Sequence, residues 1–317
     1  MNKIAVSNTF NGYTNSVEGR EEQLRKISDA KIGYIHWQYD GTGYYIYSQY
    51  EMKMIKEWLD TYGLKAYSVH ASEGGKNSSF PFKDREERFK VRNYWDNLKD
   101  FTSENEYVRK AGVDLIRNRI DLAHAIGTDS IVLHLLVPYG EIEMKKGYKD
   151  VFYNQVIKSF KELEPYCREK GVKIALENLF TEPYQYEIEK FELIFNEFDK
   201  DFMGFCFDSG HGILLNPDNE MDFLERYKER LLVLHLHEND GRDDSHTIPF
   251  QVNNNFNWQR FAEIMAEINY DDPLLFETNM NRAGTTSCET RFFEVIHNAG
   301  NKLWEMIEKE KKMLMKK

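Results

Sequence analysis

The sequence predicts an α/β chain folded as a single closed (β/α)8 TIM barrel, with a long loop and helical insertion after the third strand. Three observations carry this. Eight short apolar runs alternate with stretches of helical periodicity. Each of the five runs read below has one bulky face and one face of mostly smaller residues that ends in a polar group. A length of 317 residues is normal for one such barrel. The domain spans 1–317, with 71–110 as a lid or insertion and 301–317 as a C-terminal helix.

In order, the runs are KIAVS from Lys3, IGYIHW from Ile32, KAYSVH from Lys65, SIVLHLL from Ser130, KIALEN from Lys173, GFCFDS from Gly204, LLVLHLH from Leu231 and PLLFET from Pro273. Patterns such as YEMKMIKEWLDTYGL and WQRFAEIMAEINY lie between them, with apolar residues at helical spacing. Strand, helix, strand, repeated eight times, implies parallel strands joined by crossovers. The alternative is an open, doubly wound sheet, but no GxGxxG follows the first run.

Side chains alternate faces along a strand, which sharpens the reading. Ile131 and Leu133 oppose Val132 and His134. Ile174 and Leu176 oppose Ala175 and Glu177. Phe205 and Phe207 oppose Gly204, Cys206 and Asp208. Leu232, Leu234 and Leu236 oppose Val233, His235 and His237. Leu274 and Phe276 oppose Leu275 and Glu277. Large residues would pack outward under helices, and the inward face would end in polar groups at the C-terminal mouth. On this count His237 lies at the mouth. His235 points the same way, roughly 7 Å deeper, from the rise of two strand residues.

Composition narrows the function classes. Lys and Arg number 42 against 53 Asp and Glu, a net charge of −11, which disfavours nucleic acid as the main partner. Cys167, Cys206 and Cys288 are far apart and form no CxxC, which fits a reducing, cytoplasmic setting. MNKIAVSNTF lacks the apolar core of a secretion signal, and no apolar run reaches the length of a membrane span. A homo-oligomer is compatible with all of this.

The mouth then collects His36 or Trp37, His70, His134, Glu177, Asp208 and His211, His237 and Glu277, with Asp244 and His246 in the loop after strand seven. Three carboxylates gathered among imidazoles repel one another and are costly to desolvate unless a cation joins them. A bound metal ion is therefore expected. Between His70 and the next helix, a segment far longer than an ordinary connection carries Phe80, Phe82, Tyr94 and Trp95, which could stack on a sugar, and Lys83, Arg85 and Arg88, which could meet a phosphate.

In this order, HAS at His70, LHLL at His134, ALENL at Glu177, FDSGH from Phe207, HLHEND from His235, DSH at Asp244 and FETN at Phe276 resemble the xylose isomerase-like TIM barrels. That group includes sugar phosphate isomerases and epimerases and the AP endonuclease family 2. The resemblance implies one divalent ion, Mn, Mg, Co or Zn, held by Glu177, Asp208, His237 and Glu277, with Glu177, Glu277 and His211 as catalytic residues. A small carbohydrate would be the substrate, and the reaction a sugar or sugar-phosphate isomerisation or epimerisation by proton transfer. His70, His134, Asp244, His246 and Arg242 are additional candidates for metal or substrate. The alternative is an endonuclease IV-like zinc phosphodiesterase, whose three-zinc cluster maps onto His70, His134, Glu177, Asp208, His211, His237, Asp244, His246 and Glu277. A lyase or partner-dependent subunit on the same scaffold is a third reading. Two departures stand out. The text after the D-x-H is TIPFQVNNNFNW, without a Pro-Gly-x-Gly turn. Asp243 stands where ketose 3-epimerases carry arginine, with Arg242 one residue early.

Overall fold

A computed structural model of the chain describes residues 3–14, 16–38, 45–71, 99–251, 256–281 and 288–316. The segment carrying Phe80, Phe82, Lys83, Arg85, Arg88, Tyr94 and Trp95 lies outside the described residues.

Strands and helices alternate as the periodicity predicts: β1 Ile4–Ser7, α1 Val17–Asp29, β2 Tyr34–Trp37, α2 Gln49–Thr61, β3 Lys65–His70, α3 Glu106–Ile126, β4 Ser130–Leu133, α4 Tyr139–Met144, α5 Tyr148–Lys170, β5 Lys173–Glu177, α6 Tyr184–Glu197, β6 Met203–Asp208, α7 Ser209–Leu215, α8 Asp222–Tyr227, β7 Leu231–His235, α9 Trp258–Glu267, β8 Leu274–Phe276 and α10 Glu289–Leu314. The final helix runs unbroken from Glu289, so the expected start at 301 falls inside it. Local signals set several boundaries. Ser48 and Glu51 form a reciprocal capping box at the start of α2, and Gly127 ends α3 at φ 85°, a left-handed setting that suits glycine.

The sheet runs β7-β6-β5-β4-β3-β2-β1-β8, and every pairing with a register is parallel. The Leu236 N–H donates to the Leu275 carbonyl at 2.8 Å and joins the two ends of that order. The ring is a barrel, not an open sheet.

Two cores result. Ile131, Leu133, Ile174, Leu176, Phe205, Phe207, Leu234, Leu236, Leu274 and Phe276 all pack in the large outer core with the helices. Ala5, Val132, Ala175, Cys206, Val233 and Leu275 form a separate inner cluster. This is the division that alternation requires. Leu232 departs from it. It packs against the inner cluster, not under the helices. The β6–β7 register slips between Phe205 and Cys206, so that Phe205 faces Leu231 while Cys206 faces Val233. Such a bulge leaves one residue unpaired and re-aims its side chain.

Where the chain returns to the barrel before α3, Phe101 is fully buried. Gly112 of α3 lets it in: a Cβ there would lie 2.2 Å from the Phe101 backbone nitrogen and 2.5 Å from the Asp100 carbonyl carbon. In an open helix, Gly→Ala stabilises by about 1 kcal/mol. Gly112→Ala should do the reverse, destabilising by about 1–3 kcal/mol through overpacking against backbone. A urea titration showing Gly112→Ala as stable as the parent would contradict this close approach.

Candidate metal centre and active site

The site stands at the C-terminal mouth, where strands 4 to 8 deliver His134, Glu177, Asp208, His235, His237 and Glu277. Register fixes their levels. Asp208 pairs with His235, and Glu177 with Cys206. His235 Nδ1 lies 3.0 Å from Glu277 Oε2, 3.4 Å from Glu177 Oε1 and 3.8 Å from Asp208 Oδ2.

This corrects the expectation that His237 shares the level of the carboxylates with His235 far below. His235 is the imidazole among the three carboxylates. The β6–β7 bulge and the stagger of barrel strands decide which residues are level, and neither can be counted along one strand. His237 lies alongside, with Nε2 2.9 Å from Asp208 Oδ2 and 3.8 Å from Asp244 Oδ1, and its ring stacks on His246 at 4.0 Å.

Four donor groups therefore meet. The central one is Glu177, Asp208, His235 and Glu277. On one side, His70 and His134 close on Glu177, with His134 Nε2 2.9 Å from Glu177 Oε2. On the other, Asp208, His211 and His237 form one cluster, and His237, Asp244 and His246 another. Asp244 Oδ2 lies 2.9 Å from His246 Nε2 and 3.6 Å from His211 Nε2. Glu177 and Asp208 are thus shared between neighbouring groups. Asp208 also caps α7: its Oδ1 accepts the His211 N–H at 2.7 Å. His211 is oriented further by Nδ1, 2.8 Å from the Asn178 carbonyl.

Arg242 does not join them. Its side chain is 88% exposed and faces Asp240 at 3.8 Å. Of His36 and Trp37, His36 faces inward, its ring 5.0 Å from that of His235, whereas the Trp37 indole donates to Tyr47 Oη at 3.1 Å.

Charge balance follows from contact. Burial drives Glu177 upward, but His134 and His235 outweigh it and hold this carboxyl well below the ordinary carboxylate range. Burial likewise raises Glu277 and Asp244, and His235 and His246 respectively more than reverse it. The imidazoles respond in kind. Burial lowers His246, yet Asp244 lifts it from 6.5 to about 9. Burial also lowers His211, and Asp208 and Asp244 raise it well above its usual value. His235 is raised too, against burial, with Cys206 ahead of Glu277 and Glu177 among the causes. The Cys206 thiol, itself pushed by burial to about 12, stays neutral at pH 7, so the two carboxylates carry that effect.

The donor set fits a divalent cation. Both ring nitrogens of His235, Nδ1 of His237 and Oδ1 of Asp244 are buried without a hydrogen-bond partner. Buried polar groups are rarely left so, and an ion among the three carboxylates would satisfy His235 Nδ1. Mixed carboxylate and imidazole donors suit zinc, manganese or cobalt.

A sequence profile of the xylose isomerase-like TIM barrel matches residues 24–294. The chain belongs to this family. It is 30% identical over 290 residues to the uncharacterized protein y4fM of Sinorhizobium fredii, covering 92% of this chain and 90% of that one. It is 28% identical to the uncharacterized protein MJ1311 of Methanocaldococcus jannaschii, over 66% and 69% of the two chains. A solved D-tagatose 3-epimerase-like protein superposes with a TM-score of 0.67 at 22% identity, covering 98% of this chain and 99% of that one. A D-psicose 3-epimerase gives 0.69 at 13% identity, covering 96% and 99%. At these identities the structural likeness is one of fold.

Sequence reasoning missed the wall opposite. Ser7 pairs with His36 and follows Val6, which pairs with Phe276, so Ser7 stands between His36 and Glu277. Ser7 Oγ and Thr9 Oγ1 donate to Gln38 Oε1 at 3.0 and 3.3 Å. The only signal was a period-two run of small polar residues at the end of β1.

Two outcomes test this geometry. Metal must displace the proton from His235, an imidazole held well above its free value, so affinity should rise with pH. Calorimetry near pH 7 in buffers of different ionisation enthalpy should show at least one proton released per ion; zero release would contradict the pairing. In the metal-free chain, the raised His246 imidazole contributes its full stability below pH 6.5 and loses it as pH rises through about 9. Separately, a Cβ on Gly210 would sit 2.0 Å from His237 Cε1. Gly210→Ala should push that ring off Asp208 and weaken metal binding about tenfold or more. Unchanged affinity and an unmoved His237 ring in its NMR spectrum would refute it.

Proposed function

We propose that this chain is a divalent-metal-dependent isomerase or epimerase acting on a sugar or sugar phosphate. The observation that carries the reading is the convergence of Glu177, Asp208, His235 and Glu277 at the barrel mouth, with His235 Nδ1 within 3.8 Å of all three carboxylates. The solved structures of the same fold described as a D-tagatose 3-epimerase-like protein, an L-ribulose 3-epimerase and a D-psicose 3-epimerase support the choice of substrate class.

These four residues would hold the ion. Bound there, it would supply Lewis acidity to an adjacent carbonyl and hydroxyl pair. The chain does the rest. Glu177 and Glu277 end strands separated by β6 and β7, and so approach a bound sugar from two sides. One carboxylate takes the proton from the carbon beside the carbonyl and the other returns a proton, as general base and acid. His211, fixed by Asn178 and Asp208, orients the substrate from the β6 side. Gln38, held by Ser7 and Thr9, presents its amide to sugar oxygens on the far wall.

A specific observation also favours a second reading. His70 and His134 share Glu177 with the central group, and Asp208 links it to His211, His237, Asp244 and His246. This arrangement would suit a multinuclear zinc phosphodiesterase. Metal count separates the two.

Elemental analysis of freshly purified protein should give about one tightly held divalent ion per chain. A panel of ketoses, aldoses and their phosphates, assayed with Mn, Mg, Co and Zn, should show interconversion that chelation abolishes. Glu177→Gln and Glu277→Gln should each lower kcat by about 100-fold or more, the usual scale for a positioned acid or base. Three zinc ions per chain together with phosphodiester cleavage would establish the second reading instead. Full activity after exhaustive metal removal would overturn both.

A further inference from the structure

The floor of the site holds a histidine that the proposed chemistry leaves unused. His36, on β2, is fully buried. Its Nδ1 lies 2.7 Å from Ser68 Oγ, and its Nε2 has no hydrogen-bond partner. The His235 ring stands beside it, centroids 5.0 Å apart and planes at 68°. His235 Nδ1 is the nitrogen that faces the three carboxylates, which leaves Nε2, also buried and also without a partner.

A neutral imidazole that gives one nitrogen to a metal carries its proton on the other. That N–H needs an acceptor, because a donor left buried and unpaired has lost its water without replacement. His36 has the matching need. If its Nδ1–H donates to Ser68 Oγ, its Nε2 carries a lone pair with nothing to accept. Two adjacent buried rings thus each lack what the other supplies. The β2–β3 register slips between Ile35 and His36, and this slip sets His36 opposite Ser68. Bulges beside functional sites commonly re-aim a side chain in this way.

We propose that His36 is a positioning residue for the metal centre. In the loaded protein, His235 Nε2–H donates to His36 Nε2, and His36 Nδ1–H donates to Ser68 Oγ. This fixes the tautomer and the ring angle of His235. The inference rests on the metal reading above and adds to it a residue outside the ligand set. Cys206 is the competing partner for His235, since its thiol lies in the same ligand cluster.

Zinc titrated into the metal-free full-length chain against a competing chromophoric chelator tests it. His36→Phe should weaken zinc binding 10- to 100-fold, the scale seen when the hydrogen-bond partner of a ligating histidine is removed. It should also shift the visible spectrum of the cobalt-substituted protein. His36→Gln, whose amide oxygen can accept the same proton, should recover most of the loss. Cys206→Ala should bind zinc like the parent. His36→Phe binding zinc within twofold of the parent would overturn the proposal, as would Cys206→Ala reproducing the entire loss. If His36→Phe does not fold, Ser68→Ala decides: severalfold weaker binding supports the relay, and unchanged binding refutes it. A parent protein that binds no zinc, cobalt or manganese would sink the metal reading itself, an outcome distinct from any failure of the variants.

Discussion

The whole mouth depends on one electrostatic constraint: carboxylates buried within a few ångströms of one another must be compensated. Glu177, Asp208 and Glu277 are almost wholly withdrawn from water. Isolated, each would be costly to keep charged. Imidazoles at 2.9–3.8 Å provide part of the compensation, which is why the carboxyl groups of Glu177 and Glu277 are held low while His211, His235 and His246 are held high. A divalent ion would take over that role and leave the imidazoles neutral. The parallel barrel makes the constraint manageable, because strand ends point one residue each into a shared space while outer faces remain free to pack.

Sharing is the second theme. Asp208 serves three groups at once, capping α7 through Oδ1, reaching His237 through Oδ2 and facing His235. Glu177 does likewise for His134, His211 and His235. Neighbouring centres built on common carboxylates do not fill independently. An ion at one draws charge from the group the next would use. Gly210 shows how closely the ring of His237 is packed against the helix that Asp208 begins.

Much of this was legible in the sequence. The eight apolar runs located the strands, and their alternation separated Val132, Ala175, Cys206, Val233 and Leu275 from the outward residues. The strand-end acids and histidines marked the mouth. What the text concealed was level. His235 and His237 have the same parity, and parity says nothing about height around a ring. Height depends on barrel stagger and on the slip between Phe205 and Cys206, which comes from pairing with another strand. Leu232 misled for the same reason. The Ser7, Thr9 and Gln38 wall was hidden differently: small polar residues at strand ends are common, and these matter only because β1 lies between β2 and β8.

That last neighbourhood has a consequence for synthesis. The Lys3 carbonyl accepts from the Leu274 N–H at 3.0 Å and from the Trp304 indole at 2.9 Å, a partner 301 residues away in the chain. β1 precedes β8 and α10 in the chain, so its second edge is closed only by elements made long after it. Until β8 follows, that parallel edge has no strand to pair with. Exposed edges of this sort template association with other chains. Barrel closure therefore joins elements far apart in the chain, and a fragment that lacks β8 keeps an open edge of the kind that templates association.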